Sequence, residues 1–203
     1  MLQRMLQKRP PPGERCDFCA EPLAPEHNHL IELAARRILC ACRPCAIVFE
    51  PSGAAQGKYR TVPTRYQRIE SFDIDERQWD ALQVPIGLAF FFYNSLERKM
   101  VAFYPSPAGA TESLLPLEEW DEISRAHPEL AAIVPDVEAV LIRRSREGSS
   151  AFIIPIDSAY ELVGLIRTSW KGFDGGAGVH AKIAAYFEKL RERSAGKLPA
   201  HAS

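Results

Sequence analysis

The chain has 203 residues, of which 46% are hydrophobic and 25% are charged. This apolar content is sufficient for a folded core and excludes an intrinsically disordered chain. A formal net charge of -1 argues against a nucleic-acid-binding protein, because such domains usually carry a strong excess of basic residues. The length allows either one domain or a small module joined to a larger domain.

The N-terminal residues 1–13 contain basic side chains and three consecutive prolines, but no apolar segment as long as a signal-peptide core. The longest apolar run, residues 84–93, contains a proline and a glycine, and it is much shorter than the roughly 20 residues of a membrane-spanning helix. We therefore expect a cytoplasmic protein without a membrane span. Residues 1–13 and 194–203 are expected to be flexible.

All five cysteines lie between residues 16 and 45. Four of them form two CxxC pairs that are separated by about twenty residues, a spacing typical of zinc sites with four thiolate ligands. Four thiolates complete the tetrahedral coordination of zinc and leave no position for water. In a reducing compartment, clustered cysteines bind metal more often than they form disulfides. The sequence therefore predicts a structural zinc site with the ligands Cys16, Cys19, Cys42 and Cys45.

The same four cysteines would also bind iron, as in rubredoxin-like electron carriers. The first pair lacks the proline and glycine that rubredoxin-like loops tend to carry, and has Asp17, Phe18 and Ala20 instead. This difference favours zinc as the cofactor. A rubredoxin-like iron electron carrier, or a thiol-redox protein, is the alternative hypothesis.

Three further residues near the two pairs are candidate ligands. Cys40 is expected to be a small apolar residue of a hairpin, and its roles as an alternative ligand or as a redox-active thiol stay open. His27 and His29 lie between the pairs, and either ring could replace one thiolate. We expect these two rings to point to opposite faces of an extended segment, so that at most one approaches the metal.

Residues 14–50 are predicted to form the metal-binding module. The first CxxC turn is followed by a hairpin of residues 29–33 and 38–41, and the second CxxC opens a short helix that ends at Pro51. This order of knuckle, hairpin and helix resembles treble-clef zinc modules. Residues 51–58 are small and polar and indicate a linker, so that the second domain is expected to span residues 59–193.

The second domain is predicted to be an α+β domain. Two hairpins, of residues 86–93 with 100–104 and of residues 137–143 with 151–156, indicate an antiparallel sheet of about four strands. The predicted helices cover residues 75–83, 117–126, 160–170 and 179–193, and the third is expected to begin with a capping box of Ser158 and Glu161. The polar segment 104–113 is predicted to be a loop, which could bind a ligand.

The serine, histidine and aspartate residues show no spacing that ties them into a catalytic triad. The sequence therefore predicts no catalytic residue, and it favours a protein that is not an enzyme.

Four segments of the chain resemble an uncharacterised bacterial family, a domain of unknown function, over residues 14 to about 193. They are the first CxxC pair, residues 39–45, residues 104–113 and residues 162–168. Members of that family are sometimes encoded beside nickel-iron hydrogenases of the high-affinity uptake type. The resemblance implies an accessory role in hydrogenase assembly or electron transfer, with a hydrogenase component as the partner. It implies no catalytic residue.

Overall fold

The computed structural model describes residues 13–51, 53–113, 120–145, 148–170 and 176–196. The chain divides into two units, Met1–Val62 and Pro63–Ser203. Both sheets are antiparallel and the class is α+β, as predicted, but the sheets have three and six strands, whereas a two-stranded hairpin and a sheet of about four strands are predicted. Most of the two terminal segments that we expect to be flexible lies outside the described residues.

The first unit contains a three-stranded sheet and one helix. The predicted hairpin is present as β1 (Asn28–Glu32) and β2 (Arg37–Ala41), and it is followed by α1 (Arg43–Phe49) and β3 (Tyr59–Thr61). The strand order is β2-β1-β3, because β3 pairs with β1. Tyr59, predicted to begin the second domain, thus belongs to the first unit.

Local contacts explain why β3 joins the first sheet. Lys58 Nζ lies 3.2 Å from a carboxylate oxygen of Glu32 at the end of β1. The ring of Tyr59 packs 5.2 Å from that of Phe49 in α1 and 5.5 Å from that of Phe18 in the first CxxC turn. The predicted linker, residues 51–58, includes a short 3-10 segment, Ala54–Gly57. It connects α1 to β3 within the first unit and does not lead into the second unit.

The core of the first unit is small. Its cluster of buried residues consists of Cys16, Leu30, Ala41 and Ala46, and six partly buried side chains pack against it: Phe18, Leu23, Cys42, Cys45, Phe49 and Tyr59. Side chains alternate between the two faces of a strand, so the hairpin turns Leu30, Leu39 and Ala41 to this core, and His29 and Cys40 lie on the other face. A core of this size supplies little hydrophobic stabilisation and usually needs a disulfide, a metal or a partner to fold.

The second unit is built on a six-stranded sheet with the order β4-β9-β8-β5-β6-β7. The two predicted hairpins are present as β5–β6 and β8–β9. The additional strands are the short edge strands β4 and β7. The six strands are β4 (Gln67–Ile69), β5 (Leu88–Asn94), β6 (Lys99–Ser106), β7 (Gly109–Glu112), β8 (Glu138–Ser145) and β9 (Gly148–Pro155).

Helices cover both faces of this sheet. The four helices are α2 (Glu76–Ala81), α3 (Trp120–Ala126), α4 (Ile156–Ser169) and α5 (Gly176–Ser194), with a 3-10 helix at Pro128–Ala132. On one face Phe91 stacks on Trp120 of α3 at 4.8 Å, and on the other face Phe152 contacts Phe187 of α5 at 5.9 Å. No helix of the described ranges is long and apolar enough to cross a membrane.

The predicted loop 104–113 is instead part of a hairpin. It contains the end of β6, a two-residue turn and β7. Gly109 has φ +125°, a conformation that favours glycine, and Ser106 Oγ donates a hydrogen bond to its carbonyl oxygen at 3.0 Å. The backbone of this segment is therefore used in strand pairing, which removes the reason for expecting a ligand-binding loop.

The predicted capping box at Ser158 is also wrong. Helix α4 begins at Ile156, and its N-cap residue, Pro155, makes no side-chain capping bond. Ser158 lies within the first turn, where its Oγ is 2.6 Å from the hydroxyl of Tyr66 and its carbonyl oxygen accepts a 2.6 Å hydrogen bond from Tyr186. A tertiary hydrogen-bond network has replaced the local cap.

Candidate metal centre

The two CxxC pairs meet in space. The four Sγ atoms of Cys16, Cys19, Cys42 and Cys45 lie within 4.8 Å of one another, and those of Cys19 and Cys42 are 3.6 Å apart. Zinc bound tetrahedrally at about 2.3 Å from each sulfur would separate its ligands by about 3.8 Å. The predicted residues therefore form a group that could hold a metal ion.

The first pair is held by a tight backbone turn. The amide of Ala20 donates to the carbonyl oxygen of Cys16 at 2.9 Å, and the amide of Cys16 donates to that of Glu21 at 2.9 Å. Ala20 has φ +61°, which lies in the left-handed region that favours glycine. The turn thus has the shape that a glycine would give it, so the absence of a glycine does not distinguish zinc from iron.

The second pair lies at the start of α1. Cys42 is the N-cap residue with φ -69° and ψ 158°, Pro44 occupies the first turn, and the amide of Ala46 donates to the carbonyl oxygen of Cys42 at 2.9 Å. Proline is well accommodated in the first turn of a helix, because the amides there have no intrahelical acceptor. The sequence CRPC therefore starts the helix and places Cys45 in the first turn beside Cys42.

The thiols differ in how readily they ionise. Burial raises the pKa of Cys16, but backbone hydrogen bonds from Cys42, Phe18 and Cys19 outweigh it and lower the pKa to about 6. The neighbouring thiol of Cys42, followed by burial, raises the pKa of Cys45 far above its ordinary value. One thiolate therefore forms easily, whereas four thiolates at this separation require a cation that compensates their charge.

Cys40 does not join the four-cysteine group, because it lies on the other face of the hairpin. Its Sγ and ring nitrogens of His27 and His29 form a second group, in which the three candidate ligand atoms lie within 4.8 Å of one another. The prediction that the two histidine rings point to opposite faces is wrong, since their centroids are 4.7 Å apart. Residues two apart on an extended chain lie on the same side.

The surroundings of Cys40 do not favour a reactive thiol. Burial, followed by the charges of Glu14, Asp17 and Cys16, raises the pKa of Cys40. Nucleophilic and redox-active cysteines have a lowered pKa, because the thiolate is the reactive form. The geometry therefore gives no support to a role for Cys40 as a redox-active thiol.

Comparison with known proteins identifies a family but no characterised relative. The model of DUF5947, described as a family of unknown function, matches residues 15–194. The matched range includes all five cysteines and both histidines of the two groups. No curated protein and no solved structure matches the chain, and the family match carries no link to hydrogenases.

Proposed function

This chain belongs to DUF5947, whose function is unknown, and we propose that its N-terminal unit is a zinc module. In this proposal Cys16, Cys19, Cys42 and Cys45 hold one Zn²⁺ ion. The observation that supports it is the approach of the four sulfur atoms to within 4.8 Å of one another from two separate elements. Four thiolates close the coordination sphere, so the ion has a structural role.

The size of the core supports the same proposal. The buried cluster of the first unit consists of four residues, one of which is Cys16. A structural zinc site supplies an apparent binding free energy of about 10–16 kcal/mol, which would add to the modest hydrophobic stabilisation of a small core. Zinc binding therefore folds the knuckle, the hairpin and α1 together, in a treble-clef-like arrangement.

We propose that the zinc module serves an accessory protein by presenting α1 to another protein. The helix begins at the second CxxC pair, so the ion fixes its position. Directly after Cys45, the side chains of Ile47 and Val48 are 51% and 65% exposed, and adjacent exposed apolar residues are suited to a protein contact. A hydrogenase component, which the resemblance implies, and a cytoplasmic location are expectations that capture and localisation experiments can test.

Iron is the second candidate ion, and an electron carrier is the function that it would imply. Backbone hydrogen bonds to the Cys16 thiol and the left-handed turn at Ala20 suit an iron-thiolate site as well as a zinc site. Hydrogen bonds to the ligand sulfurs also tune the reduction potential of iron-sulfur centres. The identity of the ion is therefore the first property to measure.

Elemental analysis and a visible absorption spectrum distinguish these candidates. The protein is purified without a metal-binding tag, so that the tag does not contribute metal. We expect one equivalent of zinc at the four-cysteine site and no visible absorption. One equivalent of iron with thiolate charge-transfer bands would replace the zinc module with an electron carrier, and protein that is folded without any metal would contradict both.

Substitution of one ligand tests the assignment of the four cysteines. We expect Cys42→Ser to lose the zinc equivalent and the folded structure of residues 14–62, because three thiolates no longer close the site. The matched control is Cys40→Ser, which changes a cysteine two residues away. We expect this variant to keep the zinc ion at the four-cysteine site. Retention of metal and fold in Cys42→Ser would show that the ligand assignment is wrong.

A further inference from the structure

We propose that His27, His29 and Cys40 form a second metal site, distinct from the four-cysteine group, that binds an exchangeable ion of the zinc class. The three candidate ligand atoms lie within 4.8 Å of one another. A tetrahedral zinc ion places two nitrogen ligands and one sulfur ligand about 3.3–3.6 Å apart. The side chains therefore need to move together by about 1 Å when the ion binds.

His27 is already oriented as a metal ligand. Its side chain is 6% exposed, and its Nδ1 lies 2.9 Å from the carbonyl oxygen of Ala24. A carbonyl oxygen only accepts hydrogen bonds, so the ring proton of the neutral histidine is on Nδ1 and the lone pair is on Nε2. A backbone carbonyl commonly holds metal-binding histidines in this way.

The Nε2 atom of His27 is buried and makes no hydrogen bond; the carboxylate oxygen of Glu14 at 3.7 Å lies beyond hydrogen-bond distance. Leaving a buried polar atom without a partner costs about 1–3 kcal/mol, and nearly all such atoms in folded proteins are satisfied. A metal ion at this position would accept the lone pair of Nε2 and remove that cost. The unsatisfied atom therefore points to a ligand independently of the distances within the group.

The register of the hairpin brings the other two residues to the same place. His29 on β1 is the direct cross-strand partner of Cys40 on β2, and His27 precedes His29 by two residues and lies on the same side. The neighbours of Cys40 in β2, Leu39 and Ala41, face the core that contains Cys16. The second group therefore lies on the face of the hairpin opposite to the core, and it shares no ligand with the four-cysteine group.

The ligand set determines which ions fit and how tightly they bind. Two imidazoles and one thiolate are borderline ligands, which suit zinc and related first-row transition metal ions better than calcium or magnesium. Three protein ligands leave a fourth position, and a carboxylate oxygen of Glu14 lies 3.7 Å from Nε2 of His27. With one thiolate instead of four, this site holds its ion less tightly and exchanges it.

Cobalt titration tests the proposal on the full-length protein as purified, with the metal of its four-cysteine site in place. Co²⁺ is the probe, because its absorption reports the coordination geometry and the number of thiolate ligands. We expect the protein to bind one equivalent of Co²⁺ in addition to the metal already present. The bound Co²⁺ should show tetrahedral absorption bands and the charge-transfer band of a single thiolate. The metal present before the titration is measured separately, so failure of the first site is distinguishable from failure of the second.

Three variants test which residues bind the additional equivalent of Co²⁺. We expect His27→Gln and Cys40→Ala to lose it and to keep the metal of the four-cysteine site, and the charge-transfer band disappears in Cys40→Ala. The matched control is His180→Gln, which changes an exposed histidine of α5 and keeps both metals. The absence of an additional equivalent, or its survival in both site variants, would overturn the proposal.

Alkylation of Cys40 provides a test that needs no variant. In protein that carries metal at the four-cysteine site, Cys40 is the cysteine left to react with iodoacetamide. Saturating Zn²⁺ should slow this reaction by about tenfold or more, because a metal-bound thiolate is protected. Peptide mass spectrometry identifies the modified residue, and an unchanged rate of Cys40 modification in the presence of added zinc would overturn the proposal.

Discussion

Ala20 completes the first CxxC turn in a conformation that alanine tolerates poorly. Its φ is +61°, and its carbonyl oxygen accepts a 2.9 Å hydrogen bond from the guanidinium of Arg15. The left-handed region costs a residue with a Cβ atom roughly 1–2 kcal/mol. The turn that supplies two of the four sulfur atoms therefore carries local strain that the rest of the module compensates.

Replacement of this alanine by glycine should strengthen metal binding. Ala20→Gly removes the strain, and the greater freedom of glycine in the unfolded chain offsets part of the gain, so we expect a net stabilisation of about 0.5–1 kcal/mol. A chelator competition assay should show roughly threefold tighter zinc binding. The control is Ala34→Gly in the exposed hairpin turn, where φ is not positive and no gain is expected; equal effects of both changes would refute the strain argument.

At the level of single residues, spacing predicted the four-cysteine group because each CxxC pair is a local motif. The second group was missed although its signals are in the sequence. His27 and His29 are two apart in an extended run, which places them on one side, and a hairpin turn centred on residues 33–36 sets His29 opposite Cys40. The burial of Nε2 of His27 without a hydrogen bond depends on tertiary packing, and no sequence pattern reveals it.

Helices α4 and α5 and the residue before β4 meet at Ser158. The carbonyl oxygen of Ser158 accepts a 2.6 Å hydrogen bond from the hydroxyl of Tyr186 in α5, and the Oγ of Ser158 lies 2.6 Å from the hydroxyl of Tyr66. Arg193 in turn donates a 2.6 Å hydrogen bond to the hydroxyl of Tyr66. Burial raises the pKa of both tyrosines. The packing of these elements therefore depends on phenol groups that stay protonated in the folded state.

This network makes stability fall at alkaline pH. An unfolded tyrosine has a pKa of about 10, so the contribution of Tyr186 is fully present below that pH and is lost as pH rises toward its higher folded pKa. We expect Tyr186→Phe to cost about 1 kcal/mol at pH 8 and to reduce the loss of stability between pH 10 and 11.

Urea unfolding followed by tryptophan fluorescence measures this effect, because all three tryptophans lie in the second unit. The wild type and Tyr186→Phe are compared at pH 8, 10 and 11. Curves of unfolding free energy against pH that run parallel for the two proteins would exclude the proposed role of the tyrosine.

At the level of elements, long apolar runs were predictable and short polar strands were not. Strands β5 and β8 are apolar on both faces, because helices cover the sheet on each side, and turn residues separate them from their hairpin partners. Strand β4 has three residues and β7 has four, which is too short for a recognisable alternation. For this reason the observed sheet has six strands, whereas about four were predicted.

The two units of the chain differ in the apolar packing that stabilises them. Among the described residues, the buried cluster of the first unit has four members with six partly buried side chains packed against it, whereas the principal cluster of the second unit has 16, including Trp79 and Trp120, with three. The larger cluster of the second unit supplies more hydrophobic stabilisation, and the proposed zinc ion would add to that of the first unit. The sequence indicated this division through the clustering of all cysteines near one end.

Removal of the metal should therefore unfold one unit selectively. With a strong chelator, we expect the backbone amides of β1 and β2 to lose their protection from hydrogen exchange by at least about a hundredfold. The amides of β8 and β9 and the tryptophan fluorescence should stay unchanged. Mass spectrometry of peptides after exchange gives the protection of both strand pairs in one experiment, with zinc-restored protein as the control. Loss of protection throughout the chain would contradict this division.

The short edge strands limit how another protein can recognise the second unit. Sheet edges with unpaired backbone groups can recruit a strand from another chain, which then continues the ladder. In the described part of the chain the two edges are β4 and β7, with three and four residues, so an added strand would gain few backbone hydrogen bonds. Short edge strands are one of the devices by which natural sheets limit edge-to-edge aggregation.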